Sequence, residues 1–229
     1  FDFCFINYCV FLWMKEKLRL EYLIWFVFVY LLTKNIKTGK RELKKFITFD
    51  DIHSFDYSDI SDDMVLSAVK DGRSDLYIYD FKKDRARQIT KDIYGDFNPQ
   101  YLPKSRKIVW SSNRQNDTLK TNIGTYDKVF NHFNLFLYDD KTKLKTLTRL
   151  IDAKISASQP IPISNSQYYF LGEYANQRQI YRLDLSQDSI FRVSNFENSV
   201  KAFAIGIDET EVFYIFRVKA KDYIYQENA

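Results

Sequence analysis

Three aromatic segments in this chain end on aspartate: Leu76-Tyr77-Ile78-Tyr79-Asp80, Leu135-Phe136-Leu137-Tyr138-Asp139 and Ile180-Tyr181-Arg182-Leu183-Asp184. In each, the side chains alternate across a pleated surface, as they must in a half-buried strand. A second short apolar-hydroxyl segment follows each aspartate at a nearly constant offset: Gln88-Ile89-Thr90, Thr146-Leu147-Thr148 and Arg192-Val193-Ser194. Ile47-Thr48 repeats this element one period before Ile89-Thr90, and Gln226 lies one period after Asp184, beyond the aromatic strand Tyr223-Ile224-Tyr225. A fixed period in the range of about 20 to 50 residues decides an architecture, because each unit must bury its apolar face on a neighbour.

The interval from Asp80 to Asp139 is longer than the one from Asp139 to Asp184 and breaks the period. The excess falls in the polar stretch Gln115 to Asn131, where a repeat places a surface insertion. Within one period the strands read Phe97–Tyr101, Lys107–Ser112, Asn134–Tyr138 and Leu144–Leu147, with turns at Pro103-Lys104-Ser105 and Asp140-Lys141-Thr142. The next period reads Ser158–Ile163, Tyr168–Gly172, Gln179–Leu183 and Ile190–Val193. Four antiparallel strands per unit make a propeller blade. Helical periodicity is absent beyond residue 50, which excludes solenoids of paired helices. The aromatic content of 17% suits strands, and the apolar fraction of 45% is enough for a packed core.

The expected fold is therefore all-β, a β-propeller of four-stranded antiparallel blades. Residues 33–229 divide into a partial blade at 33–50, blades at 51–92, 93–150 and 151–196, and a partial blade at 197–229. So few blades imply an open or incomplete ring with an exposed blade face at each end. Residues 1–32 stand apart. Lys15, Lys17 and Arg19 precede the uncharged run Tyr22 to Leu32, the order of a secretory signal or short anchor, but also compatible with a buried strand pair. Lys34, Lys37, Lys40, Arg41, Lys44 and Lys45 read as a solvated hairpin of a blade.

The segment Asn98-Pro99-Gln100-Tyr101-Leu102-Pro103-Lys104-Ser105-Arg106-Lys107-Ile108-Val109-Trp110-Ser111-Ser112-Asn113-Arg114 resembles the TolB-like, WD40-like (PD40) propeller repeat. That repeat runs roughly P-x-W-S-P-D-G-x-x-I-x-F-x-S-x-R, followed by I-Y-x-x-D and R-x-L-T. Tyr57 to Ser67, with Asp75 to Asp80 and Arg87 to Thr90, is a weaker copy. The sequence departs from the pattern in having Lys104-Ser105 and Asp62-Asp63 where the family prefers Asp-Gly. The resemblance implies architectural repeat residues, no catalytic role, and a periplasmic or cell-envelope protein that binds other proteins. It also implies an alternative, the regulatory propeller of an S9-type serine peptidase whose hydrolase domain lies outside this chain.

The chemistry-bearing residues support no enzyme. There is no G-x-S-x-G elbow, and His53 and His132 are the only histidines. No nucleotide loop is present, so no cofactor is expected. Asp56, Asp59, Asp62 and Asp63 lack the glycine and terminal glutamate of a calcium loop and read as turn carboxylates. Cys4 and Cys9 are too few for a zinc site. A net charge of +4, spread along the chain, does not suit a nucleic-acid partner. Membrane contact is expected only through an N-terminal anchor. The partner is expected to be a protein, met by Lys120, Asn122, Tyr126 and Lys128 on the insertion, because Tyr and Asn combine contact area with hydrogen bonding.

Overall fold

A computed structural model describes residues 11–12, 18–25, 28–35, 41–46, 49–119, 129–143, 146–151, 154–206 and 211–228, with the strands before Phe49 described by their backbone pairing. Among the described residues every regular element is a strand. Five antiparallel sheets follow one another along the chain. The first contains β1 (Phe11–Leu12), β2 (Leu18–Trp25), β3 (Phe28–Asn35) and β4 (Arg41–Phe46). The second contains β5 (Asp51–Tyr57), β6 (Asp63–Lys70), β7 (Arg73–Asp80) and β8 (Arg85–Gln88). The third contains β9 (Asp96–Tyr101), β10 (Lys107–Ser112), β11 (Asn134–Asp139) and β12 (Thr148–Arg149). The fourth contains β13 (Ser156–Pro162), β14 (Gln167–Tyr174), β15 (Gln177–Asp184) and β16 (Ser189–Arg192), and the fifth β17 (Val200–Ile205), β18 (Glu211–Val218) and β19 (Lys221–Asn228).

Sequential strands are neighbours in every sheet, and the sheets are propeller blades. The first strands of successive blades lie side by side, β5 against β9, β9 against β13 and β13 against β17. Each carries one extra residue opposite its partner, at His53, around Asn98 and Gln159, and at Lys201. Asn98 and Gln159 take up that bulge with φ of 51° and 49°, and Pro99 and Pro160 follow them. A bulge bends the strand and sharpens its twist, which lets flat sheets fan around an axis.

The turn chemistry explains why the third strand ends on aspartate. Asp80 Oδ1 accepts from the backbone N–H of Lys82 and Lys83 at 3.0 Å, Asp139 Oδ1 from Lys141 at 2.9 Å, and Asp184 Oδ1 from Ser186 at 3.0 Å. Later in the same turns, Asp84, Lys143 and Asp188 adopt φ of 51°, 53° and 48°. The hairpin between second and third strands turns through paired left-handed residues: Asp71-Gly72, Ala175-Asn176 and Lys219-Ala220.

Blades pack face to face through apolar clusters. Val65, Leu76 and Ile78 meet Ile108, Trp110 and Phe136 of the next blade, and Val109 and Leu135 meet Tyr168, Phe170 and Tyr181. Tyr77, Tyr79, Phe136, Tyr138 and Tyr181 are all buried, and so are Leu76, Ile78, Leu135 and Ile180 of the other parity, because these third strands are covered on both faces. Ser67 Oγ donates to the Asp96 carbonyl at 2.6 Å and Ser111 Oγ to the Ala157 carbonyl at 2.7 Å, so one repeated serine stitches second strand to next blade. Gly172 sits where a Cβ would fall 2.5 Å from the Tyr181 ring, so a larger residue there displaces a core aromatic.

Three sequence expectations need correction. Thr146-Leu147-Thr148 is not the equivalent of Gln88-Ile89-Thr90 and Arg192-Val193-Ser194. Tyr77 pairs with Gln88, Tyr181 with Arg192, and Phe136 with Arg149, so the equivalent is Arg149-Leu150-Ile151. The turn after Asp139 is longer than its counterparts, and Thr146 pairs instead with Thr118 at the root of the insertion. The expected fourth strand at Leu144–Leu147 is accordingly displaced to Thr148–Arg149. Second, the break at residue 33 falls inside β3, and the strands of the first sheet begin at Phe11. β2 and β3 pair antiparallel, in keeping with the strand-pair reading of this region. Third, Asp56 and Asp59 do more than face water: they accept from the backbone N–H of Tyr101 at 2.7 Å and Lys104 at 2.8 Å, across the blade interface. No helix among the described residues is long and apolar enough to cross a membrane.

Candidate functional site

The insertion leaves the third blade after β10, at the same end as the hairpins Asp71-Gly72 and Ala175-Asn176. Lys120, Asn122, Tyr126 and Lys128 lie outside the described residues, but the root of the segment is well fixed. Arg114 is fully buried there. Its Nη2 donates to both Asp96 oxygens at 2.9 and 3.0 Å, its Nη1 lies 3.2 Å from Asp92 and donates to the Thr118 carbonyl at 3.3 Å, and its Nε donates to Ser112 Oγ at 3.1 Å. The guanidinium carbon stands 5.7 Å from the Trp110 and Phe136 ring centres and 5.8 Å from that of Tyr94. Asp96 Oδ1 also accepts from Trp110 Nε1 at 2.8 Å. Further along, Leu147 N–H donates to the Asp117 carbonyl at 2.8 Å, and Arg149 Nε donates to Asp117 Oδ1 at 2.9 Å.

Asp75, Asp92 and Asp96 bring carboxylate oxygens within 4.8 Å of one another, a donor set for a hard cation. The fold supplies its own cation in Arg114. Burial works against the charge on Arg114, but Asp96 and Asp92 outweigh it and hold its pKa above the ordinary arginine value. Burial raises Asp92 despite Arg114, and burial together with Asp96 and Asp92 pushes Asp75 up to about 6. Asp75 also anchors the fourth strand, accepting from Gln88 Nε2 at 3.0 Å and Thr90 Oγ1 at 3.3 Å. Asn134 and Gln179 stand at the equivalent place. Gln179 Oε1 accepts from Ser194 Oγ at 2.8 Å and from Phe196 N–H at 3.0 Å.

Beside this root, a row of rings crosses the first strands. His53 lies 5.4 Å from Phe97, and Phe97 lies 5.9 Å from Phe133, where the insertion returns. Phe130 and Tyr174 are exposed at the same end. His53 Nε2 is 3.1 Å from Ser74 Oγ, and its Nδ1 is 3.7 Å from Asp51 Oδ2, so serine, imidazole and carboxylate stand in sequence. The arrangement lacks two features of a working triad. The carboxylate is beyond hydrogen-bond reach of Nδ1, and Ser74 is a ladder residue paired with Val69 rather than the tip of a strained turn.

The opposite end carries a cavity of about 630 Å³ lined by residues including Asp59, Asp62, Asp63, Asp80, Lys82 and Lys83. Its charges are largely spent internally: Lys82 pairs with Asp62 and Lys83 with Asp80 at 2.7 Å, while Arg106 bridges Asp63 and Asp140, and Asp140 also takes Arg87. His132, the other histidine, sits half-buried beside Phe133.

No protein-family model matches the sequence, and no curated protein matches it. Solved structures do. TolB from Acinetobacter baumannii superposes with a TM-score of 0.68 at 13% identity, over 93% of this chain and 49% of that one. The fold is TolB-like. A putative TolB from Agrobacterium tumefaciens gives a TM-score of 0.67 at 16% identity, over 93% of this chain and 73% of that one. The tricorn protease gives 0.60 at 14% identity, over 93% of this chain and 25% of that one. The chain thus spans about half of the first TolB and a quarter of the protease. At such identities the likeness is one of fold, and a fold hosts many functions.

Proposed function

We propose that this chain is a non-catalytic interaction propeller of a bacterial periplasmic or cell-envelope protein, and that it binds a protein partner through the end carrying the 115–131 insertion. The observation that carries this reading is the division of labour among its polar residues. Repeated polar side chains are consumed in architecture: aspartates cap turns, serines stitch blades, and Asp75, Asn134 and Gln179 hold fourth strands. The insertion is the longest departure from the repeat, and a buried arginine held by Asp92 and Asp96 fixes its root. Long loops on a rigid scaffold are where binding residues concentrate. Similarity to the TolB propellers supports the propeller fold and, by resemblance, a periplasmic location. The likeness to a quarter of the tricorn protease favours a second reading, a propeller that accompanies a peptidase domain.

No turnover by this chain is expected. Incubated with nitrophenyl esters and peptide anilides, the protein should hydrolyse them no faster than buffer, and His53→Ala and Ser74→Ala should leave that baseline where it is. Hydrolysis that disappears in both variants would show that Ser74, His53 and Asp51 act as a triad and would overturn the proposal.

A further inference from the structure

Side-chain amides fall into two groups in this fold. Of the buried and half-buried ones, Asn113, Asn134, Gln167, Gln177 and Gln179 are all hydrogen-bonded. Asn98, Gln100 and Gln159 are half-buried too, yet their amides bond to nothing among the described residues. All three lie on the adjacent first strands β9 and β13, which are flanked by β5 on one side and β17 on the other, so they sit at no end of the array. Asn98 and Gln159 are register equivalents, and each takes a left-handed φ, 51° and 49°, before a proline. That region is costly for glutamine, and backbone strain collects where ligands are held.

The inner wall at this place offers a ligand side chains and no backbone. The N–H groups that β9 turns away from β10 are taken by the preceding blade: Asn98 donates to Ser54 Oγ at 3.1 Å and Tyr101 to Asp56 Oδ2 at 2.7 Å. Pro99, Pro160 and Pro162 have no N–H at all. An extended peptide therefore finds no ladder to join here. The available side chains are uncharged, since Phe97, Asn98, Gln100, Ser158 and Gln159 are the half-buried residues between Phe97 and Gln100 and between Ser158 and Gln159. Each amide offers two donors and an acceptor, which suits a hydroxyl-rich ligand, and the negative face of an aromatic ring receives the C–H face of a pyranose. We propose that the inner wall of the third and fourth blades binds a chain of uncharged sugars, with Phe97 as the stacking platform and Asn98, Gln100 and Gln159 as the groups that hold its hydroxyls.

Isothermal titration calorimetry of the full chain with cellohexaose and with the hexamer of N-acetylglucosamine tests this, with oligogalacturonate and an uncharged Gly-Ser peptide alongside. At least one neutral hexamer should bind saturably at millimolar concentration or below, more tightly than either comparison ligand. Asn98→Gly and Gln159→Gly each remove an amide and relieve left-handed strain, so Tm should not fall while the dissociation constant rises about tenfold. Gln159→Asn keeps an amide on a residue that tolerates the same backbone and should bind better than Gln159→Gly. No binding of either neutral hexamer, tighter binding of oligogalacturonate or of the peptide, or an affinity unchanged in both glycine variants would each overturn the proposal.

Discussion

Arg114→Ala is expected to cost about 3–5 kcal/mol, a large part of a domain stability of about 5–15 kcal/mol. Among the described residues the guanidinium is the one cation in contact with Asp92 and Asp96, and both carboxylates are buried. Removing it leaves buried charge uncompensated and opens a void against Trp110 and Phe136. Urea unfolding followed by tryptophan fluorescence reads the loss. Asp96→Asn in the Arg114→Ala background should recover part of it, because the amide keeps an acceptor for Trp110 Nε1 and removes one negative charge. A cost below about 1 kcal/mol would mean that water or a relaxed side chain solvates the pocket. It would then not be the rigid root of the insertion.

Asp75→Asn should do the opposite and stabilise the protein at neutral pH. The folded pKa of Asp75, about 6, lies above the ordinary aspartate value of 3.8, so between these values the native state holds its proton more tightly than the unfolded chain does. Its contribution is most favourable below about pH 4, falls as pH rises to about 6, and is flat above. Two pKa units correspond to about 3 kcal/mol at most. The variant should therefore match wild type near pH 4 and exceed it by up to that amount at pH 7, where the cost of a buried charge and its repulsion by Asp96 and Asp92 are gone. The chain already makes this exchange itself, with Asn134 at the equivalent place in the next blade. Asp56, pushed to about 7 chiefly by burial, slopes the same way from about pH 4 to 7 and will leave residual pH dependence in the variant. Tm measured from pH 4 to 8 checks both. A variant less stable than wild type at pH 7 would show that the carboxylate's bonds to Gln88 and Thr90 outweigh the relief of burial and repulsion.

The three central blades were legible because two local signals coincide in each: an alternating aromatic strand and the aspartate-capped turn that ends it. The insertion was legible as an excess over the period. What escaped were features that depend on long-range closure. The fourth strand of the third blade was misplaced because Thr146 and Leu147 pair with Thr118 and Asp117, contacts that no local pattern announces. In the first sheet the strand limits escaped, because the uncharged run Tyr22 to Leu32 carries no polar alternation to mark where β2 ends and β3 begins. The Arg114 cluster draws Asp75, Asp92 and Asp96 from a strand, a loop and the next strand. Each sits among other polar residues, so only the fold brings them together. Arg114 itself was visible as the last residue of the repeat motif, but nothing marked it as buried.

The two ends of the propeller offer a partner different surfaces, and the proposed function requires that it meet the insertion end. Replacing Tyr126 with a photo-crosslinking amino acid, and in a separate variant Lys143 on the turn after β11 at the opposite end, allows each end to be sampled in a bacterial envelope under identical expression. Irradiation followed by mass spectrometry of the adducts should give one discrete protein adduct from position 126 and none from position 143. Adducts from 143 with none from 126 would place the partner at the acidic cavity end and contradict the proposed interaction face.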